Sequence, residues 1–347
     1  MSLSSPSPTR RVPAEWEPQA EIWLAWPHNL ETWPGHFDRI PQFFDHWVRR
    51  IAESTAVRVL AVDDVARQCE SRIGNVPNAE IVPIATNDCW IRDYGPMFVE
   101  DGPEPRLIGV DWRYNAWGGK YPPWDCDDRA AGEICRYLDV PIASGALCLE
   151  GGAMEFDGGG RLLTTPSCLL TPTRNPDWSK DAIAVELHRQ LGVVEIVWLD
   201  GGGLRGDDTD GHIDQLARFV DPSNVVVAVC DDASDENAAG LEENFRQLHL
   251  WGDATTPEVT VHRLPSPPAR LIHGTRAPES YCNFLRLGGD RVLVPTFGAP
   301  PDDHALGLLR ELTGADVIGI DCRDLVWGLG ALHCASRDQP AARRSAD

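Results

Sequence analysis

Residues 161–199 read RLLTTPSCLLTPTRNPDWSKDAIAVELHRQLGVVEIVWL, and the patterning of this stretch decides the architecture. Residues 161–165 (RLLTT) form a short apolar run that predicts a strand. Residues 180–191 carry the spacing of an amphipathic helix, and 193–199 (VVEIVWL) predict a second strand. The same strand–helix–strand order returns at 225–229, 235–250 and 259–264, and again at 291–295, 302–312 and 316–320. Upstream it fits more loosely, through 22–25, 37–51 and 57–62, then 107–110 and 129–138. The better-defined units recur about every 65 residues, which gives the chain room for roughly five. Strands alternating with helices also build a doubly wound sheet, the commoner solution. Such a sheet gathers its chemistry at one switch point, whereas the polar motifs of this chain fall at unit junctions along its whole length. A radial arrangement of α/β units would bring those junctions to one centre. No linker-like tract divides the chain, so one domain over 13–340 is expected, with Ser/Pro-rich residues 1–12 and small, charged residues 341–347 as fraying tails.

The bulk properties bound the function. The chain has 347 residues, 31 basic and 53 acidic, for a net charge of −22. That length buries a substantial core. The charge disfavours nucleic acid and anionic lipid as partners, and weakly favours cationic ones. No apolar run approaches the roughly 18 residues of a membrane span. The opening MSLSSPSPTRR lacks an apolar segment, so no secretory signal is expected. Ten cysteines without a CxxC pair suggest free thiols in a reducing cytoplasm.

Residues 207–214 read DDTDGHID, four aspartates around one histidine with no cation in the segment. Such a cluster repels itself unless a metal ion, a basic side chain or a cationic ligand sits against it. Gly201, Gly203 and Gly206 satisfy GxGxxG after an expected strand, but the run continues into Asp207 and Asp208, which would repel a pyrophosphate. An EF-hand is excluded because Gly206 and Ala217 stand at its first and last ligand positions. The HxD pair of His212 and Asp214 suits a metal, yet the ten histidines offer no HxH, HExxH or second HxD to complete a site. Elsewhere the chain carries NDCWIRDYGP (87–96), LEGG (149–152) and GLGALHCASRDQP (328–340). Most cysteines here read as inert buried thiols. Cys334 departs from that pattern, since a glycine-flanked, turn-like position lets a thiol reach an open site.

Together with PAEWEPQAEIWLAWPH (13–28), NAWGGKY (115–121) and SYCNF (280–284), these ordered motifs resemble the agmatine deiminase and bacterial peptidylarginine deiminase family of guanidino-group-modifying enzymes. The resemblance spans nearly the whole chain, and NAWGGKY with the HC-x-x-x-x-QP ending resembles the agmatine branch more. Gly328–Leu332 is poorer in glycine than the family pattern, and Cys89, Tyr94 and Arg337 stand where small or amide residues are usual. The resemblance implies a five-bladed pseudo-symmetric α/β propeller. It also implies hydrolysis of a guanidinium to a ureido group with release of ammonia, without metal or other cofactor, and suggests a homodimer. A planar, cationic guanidinium is held by paired carboxylates, and the match gives this role to Asp93 and Asp214. Trp90 would line the pocket. Cys334 would attack the central carbon as thiolate, and His212 would serve as acid and then base. Glu150 would orient His212 and keep it protonated. Asp208 is a candidate for substrate contact or loop structure, and Trp117 for the distal end of the substrate. In an extended segment, His212 and Asp214 would face the same side.

Three functions are thereby set against one another. The first is a cytoplasmic deiminase converting agmatine to N-carbamoylputrescine and ammonia, with free or peptidyl arginine or another alkylguanidine as the alternative substrate. The second is a non-catalytic guanidine or polyamine binder, which has no use for the thiol. The third is a metal-dependent amidohydrolase.

Overall fold

The computed structural model describes residues 10–288 and 290–341. The stretch that opened the sequence reading folds as expected, with ends shifted by a residue or two. Arg161–Thr164 and Glu195–Trp198 are strands paired in parallel, joined by the helix Lys180–Leu191. Ser179 caps that helix by accepting from the Ala182 N–H at 3.2 Å. Ile183, Leu187 and Leu191, four residues apart, form its buried stripe, worth about 2 kcal/mol each in transfer terms. Gly192 ends the helix at φ +73°. A Cβ there would also stand 1.8 Å from the Arg10 carbonyl oxygen, so the glycine lets the N-terminal strand pass.

What patterning missed is a short antiparallel strand ahead of each repeat. Glu155–Phe156 precedes Arg161–Thr164, Met97–Asp101 precedes Arg106–Arg113, Ala217–Asp221 precedes Asn224–Val229, and Leu285–Leu287 precedes Arg291–Thr296. In each case the second strand then pairs in parallel with a third beyond the helix: Glu195–Trp198, Ile142–Cys148, Thr260–Pro265 and Asp316–Asp321. These leading strands of two to five residues are too short to show a period. Besides the two-stranded hairpin of Leu271–Ile272 and Thr275–Arg276, a further sheet takes its antiparallel strand from the other end of the chain. Ser336–Pro340 pairs with Gln19–Ala25, which pairs in parallel with Ala56–Leu60. Among the described residues the architecture is thus α/β with separate mixed sheets, not one doubly wound sheet.

The expected tails are corrected where they are described. Arg10 and Arg11 pair with Asp101 and Glu100, and the Arg11 guanidinium is gripped by Glu17 and Glu100 at 2.5–3.0 Å. Ala341 donates its N–H to the Pro18 carbonyl at 2.8 Å. Ion pairing and backbone bonding hold these residues despite their composition. Residues 1–9 and 342–347 of the expected tails lie outside the described residues. No described helix is long and apolar enough to cross a membrane.

Candidate active site

Every principal site residue stands just before the leading strand of its sheet. Asp93 lies in the short helix Ile91–Tyr94 before Met97–Asp101. Glu150 precedes the 3-10 turn Gly151–Ala153, ahead of Glu155–Phe156. His212 caps the 3-10 turn Ile213–Gln215, which contains Asp214 and leads into Ala217–Asp221. Asn283 precedes Leu285–Leu287, and Cys334 precedes Ser336–Pro340. These equivalent junctions converge. His212 Nδ1 is 3.6 Å from Asp93 Oδ1, and its Nε2 is 3.8 Å from Glu150 Oε2. Cys334 Sγ lies 3.5 Å from Asp214 Oδ2 and accepts from Asn283 Nδ2 at 3.0 Å. His212 and Asp214 do come together, but through the 3-10 turn; the extended segment expected from the sequence is absent.

Gly152 sits at the crowded point. Its N–H donates to Asp93 Oδ1 at 2.9 Å, while a Cβ would lie 2.6 Å from His212 Nδ1, 2.8 Å from Asp93 Oδ1 and 3.2 Å from Asp214 Oδ2. Gly152→Ala is therefore expected to cut turnover by about 10²-fold, because such displacements of reacting groups cost that much. Steady-state kinetics checks this, and a variant within threefold of wild type would show that the neighbours have slack.

Asp93 is fixed on its other side by Trp117, whose indole N–H donates to Oδ2 at 2.9 Å. Trp117 has φ +56° in a run of left-handed residues from Ala116 to Gly119. A bulky residue adopts that conformation only under constraint, and here the turn aims the indole at Asp93. Trp117 thus lines the cavity, with its polar atom on the Asp93 carboxylate. Trp90 lines the same cavity, packed on Trp33 with ring centroids 5.7 Å apart. The glycines before Cys334 serve this packing: a Cβ at Gly328 or Gly330 would lie 2.8 Å or 2.4 Å from the Trp90 ring.

The cavity, about 800 Å³, is lined by Asp93, Trp90, Trp117, Asp208 and Cys334. His212, Glu150 and Asp214 are not in its wall but are buried directly against Asp93 and Cys334. Both His212 nitrogens and Asp214 Oδ1 are buried without a hydrogen-bond partner. Burial opposes charge on His212, but Asp93, Cys168 and Glu150 raise its pKa well above the usual imidazole value. Burial would lift Glu150, yet His212 and Arg174 bring it to about 2. Asp93 is pushed up to about 6 by burial, against the pull of His212 and with help from Asp214 and Glu150. Asp214 falls below the usual range, because His333 and His212 outweigh its burial. Burial, Asp214 and Asp93 push the Cys334 thiol well up. At neutral pH, then, ionised carboxylates outnumber the imidazolium around a protonated thiol, and the arrangement favours a cation.

The aspartate-rich loop finds most of its missing cation inside the protein, not in a ligand. Asp210 is bonded by Arg174 at 2.6 Å and Lys120 at 2.9 Å. Asp207 accepts from the Thr209 and Gly211 N–H groups, and Asp208 from the Tyr121 hydroxyl at 2.5 Å. Arg174 was not legible in the sequence, having no motif around it. Fully buried, it also donates through Nε to both Glu150 oxygens, at 2.7 and 3.0 Å, and so ties Glu150 to the loop. Glu150, Cys168 and His212 place one ligand atom each within 4.8 Å of one another, as a metal would require. The Arg174 guanidinium already occupies the Glu150 carboxylate, and a metal ion there would face that cation. Cys168, read from sequence as inert, donates to Glu150 Oε2 at 3.6 Å.

A buried thiol, an imidazole and converging carboxylates beside one cavity are the groups that nucleophilic chemistry on a cationic carbon centre would use. A model of the Porphyromonas-type peptidyl-arginine deiminase family matches residues 11–340. Agmatine deiminase of Stutzerimonas stutzeri is 34% identical over 357 residues, covering 95% of each chain. The Pseudomonas aeruginosa agmatine deiminase is 33% identical, covering 99% of this chain and 100% of its own. Among solved structures, an Enterococcus faecalis agmatine deiminase superposes with a TM-score of 0.90 at 29% identity, over 99% of this chain and 100% of that one. A C. jejuni agmatine deiminase, a cysteine-to-serine variant with substrate bound, gives 0.89 at 27%, again over 99% and 100%. The chain belongs to the Porphyromonas-type peptidyl-arginine deiminase family.

Proposed function

We propose that this protein hydrolyses agmatine to N-carbamoylputrescine and ammonia on a five-bladed pseudo-symmetric α/β propeller formed by one domain, residues 13–340. The supporting observation is the set of buried groups left without partners, His212 and Asp214 Oδ1, next to Asp93 and Cys334. Leaving a buried carboxylate oxygen unmade is expensive, and a planar cation with several N–H donors satisfies Asp214 Oδ1, while the His212 N–H groups beside it stay free to give up a proton. Asp93 and Asp214 clamp the guanidinium. Its charge lowers the thiol pKa, the thiol proton passes to water, and the Cys334 thiolate adds to the central carbon. The His212 imidazolium gives a proton to one amino group, which leaves as ammonia and leaves an amidino thioether on Cys334. Neutral His212 then takes a proton from water as its oxygen attacks that carbon. Collapse expels the thiolate, which takes up the hydroxyl proton, and yields the ureido product. Glu150, anchored by Arg174, holds His212 in its protonated form before the first step.

The choice of agmatine over arginine rests on the cavity's cations. Of its lining residues, Lys120 is engaged by Asp210 and the Asp208 carbonyl, and Arg276 by both Asp235 oxygens at 2.6 and 2.9 Å. Asp88, Asp127, Asp208 and Glu31 line it too. An α-carboxylate would enter without a free guanidinium or ammonium to meet it, and misplaced like charge costs several kcal/mol. The expected kcat/KM for agmatine exceeds that for arginine or an arginyl peptide by at least about 10²-fold. Ammonia release across the three substrates tests this, and arginine outrunning agmatine would refute the substrate assignment. In the same assay a chelator should leave activity intact while thiol alkylation removes it; the opposite pattern would favour the metal-dependent alternative. The free state of all ten cysteines agrees with a cytoplasmic enzyme.

A further inference from the structure

Beyond Asp214 runs a second line of charged groups that the reaction above leaves unused. His333 Nδ1 lies 2.8 Å from Asp214 Oδ2, and its Nε2 lies 2.7 Å from Glu15 Oε1. Glu15 is gripped by Arg218 at 2.6 Å and Arg92 at 3.1 Å. Those arginines continue to Glu155 at 2.7 Å and Asp338 at 2.8 Å. The backbone of His333 is pinned as well. Its N–H donates to Asn283 Oδ1 at 3.0 Å, and its carbonyl accepts from Arg92 Nε at 3.2 Å. The ring is 1% exposed, so neither water nor side-chain drift relaxes it. The charged groups facing it are Asp214, Glu15 and Glu155, with Arg92 and Arg218 behind them.

We infer that His333 is a positioning residue for the deimination: its Nδ1–H holds Asp214 Oδ2, so that unpartnered Oδ1 is presented to the guanidinium while Oδ2 stays beside Cys334. The inference rests on the deiminase reading. A carboxylate fixed by one backbone tether still rotates about its side-chain bonds, and the partner at Oδ2 selects one orientation. A carboxylate oxygen stands at each ring nitrogen, Asp214 at Nδ1 and Glu15 at Nε2. Glu15 holds the far side of the ring, much as a carboxylate behind a metal-bound histidine fixes its orientation. Because His333 and Cys334 are adjacent in the chain, one dipeptide places both the nucleophile and the group that aims the Asp214 carboxylate.

Two variants separate positioning from space-filling. In His333→Asn the amide nitrogen falls near the Nδ1 position and can still donate to Asp214. In His333→Gln the amide reaches toward the Nε2 position and Glu15. The expected kcat/KM is within about fivefold of wild type for Asn and at least about 10²-fold lower for Gln, mainly through KM, since a misplaced carboxylate loses that much. A space-filling role predicts the reverse order, because glutamine is nearer to histidine in volume. Equal values, or a more active Gln variant, would overturn the inference. Should the Gln variant fail to fold, His333→Leu, which also lacks the donor, takes its place. The pH profile of Cys334 alkylation by iodoacetamide, read on the Cys334 peptide by mass spectrometry, needs no substrate. It should change in Gln or Leu and not in Asn, and an unchanged profile in all three overturns the inference. If wild type turns over no guanidine, the deiminase reading has failed, and alkylation alone decides the role of His333.

Discussion

Replacing Cys334 with alanine is expected to lower ammonia release from agmatine by at least about 10⁴-fold, while agmatine still binds. That loss corresponds to about 5.5 kcal/mol of barrier. Of the ten cysteines, Cys334 is the one that lines the cavity, and Asp214 and Asn283 hold its sulfur in place. The nearest rival, Cys168, points its sulfur at Glu150, which lies outside the cavity wall. The guanidinium clamp proposed for Asp93 and Asp214 is untouched by the change, so calorimetry should still detect agmatine. Turnover within tenfold of wild type would remove Cys334 as the nucleophile. Quenching the wild-type reaction should also trap a protein heavier by one agmatine less one ammonia, and the alanine variant should trap none.

His212→Ala is the second large effect, an expected fall in kcat of about 10³-fold. The reason is a double duty. Expelling ammonia from the tetrahedral adduct needs a proton at the leaving nitrogen, and adding water needs one removed. His212 is suited to start as the donor, because Asp93, Cys168 and Glu150 overcome the effect of its burial and keep it charged in the resting site. Its nitrogens lie 3.6 and 3.8 Å from the two carboxylates, with no hydrogen bond committing either one. Such loose geometry is common before a substrate tightens a site. Single-turnover kinetics should show the adduct forming slowly as well as breaking down slowly. Near-normal turnover would strip His212 of the acid–base role.

Much of this was legible in one dimension, and the reasons for the rest are specific. The helix Lys180–Leu191 was readable because four-residue spacing, a serine cap and a glycine stop are local facts. Glu155–Phe156 was not, because two residues carry no period and their pairing with Arg161–Thr164 is made by the turn between. Cys334, His212, Glu150, Asp93 and Asp214 stood out as motif residues. Arg174 had no such context, since an arginine among Thr, Pro and Asn looks like any surface loop. His333 was hidden by its neighbour. Asn283 and Glu15 lay inside quoted motifs without a role, because what they do is defined by partners 51 and 318 positions away.

The DDTDGHID loop shows where the division falls. Its residues alone establish an excess of negative charge that requires compensation, because like charges so close in sequence remain close in any fold. Which cation compensates which aspartate is a matter of distances between distant segments. Folding brings Arg174 and Lys120 to Asp210, Tyr121 to Asp208 and His333 to Asp214, leaving one Asp214 oxygen unpartnered. Local chemistry sets the demand for charge, periodicity sets the repeating α/β units, and only packing between those units decides which groups are satisfied internally and which are left to a ligand.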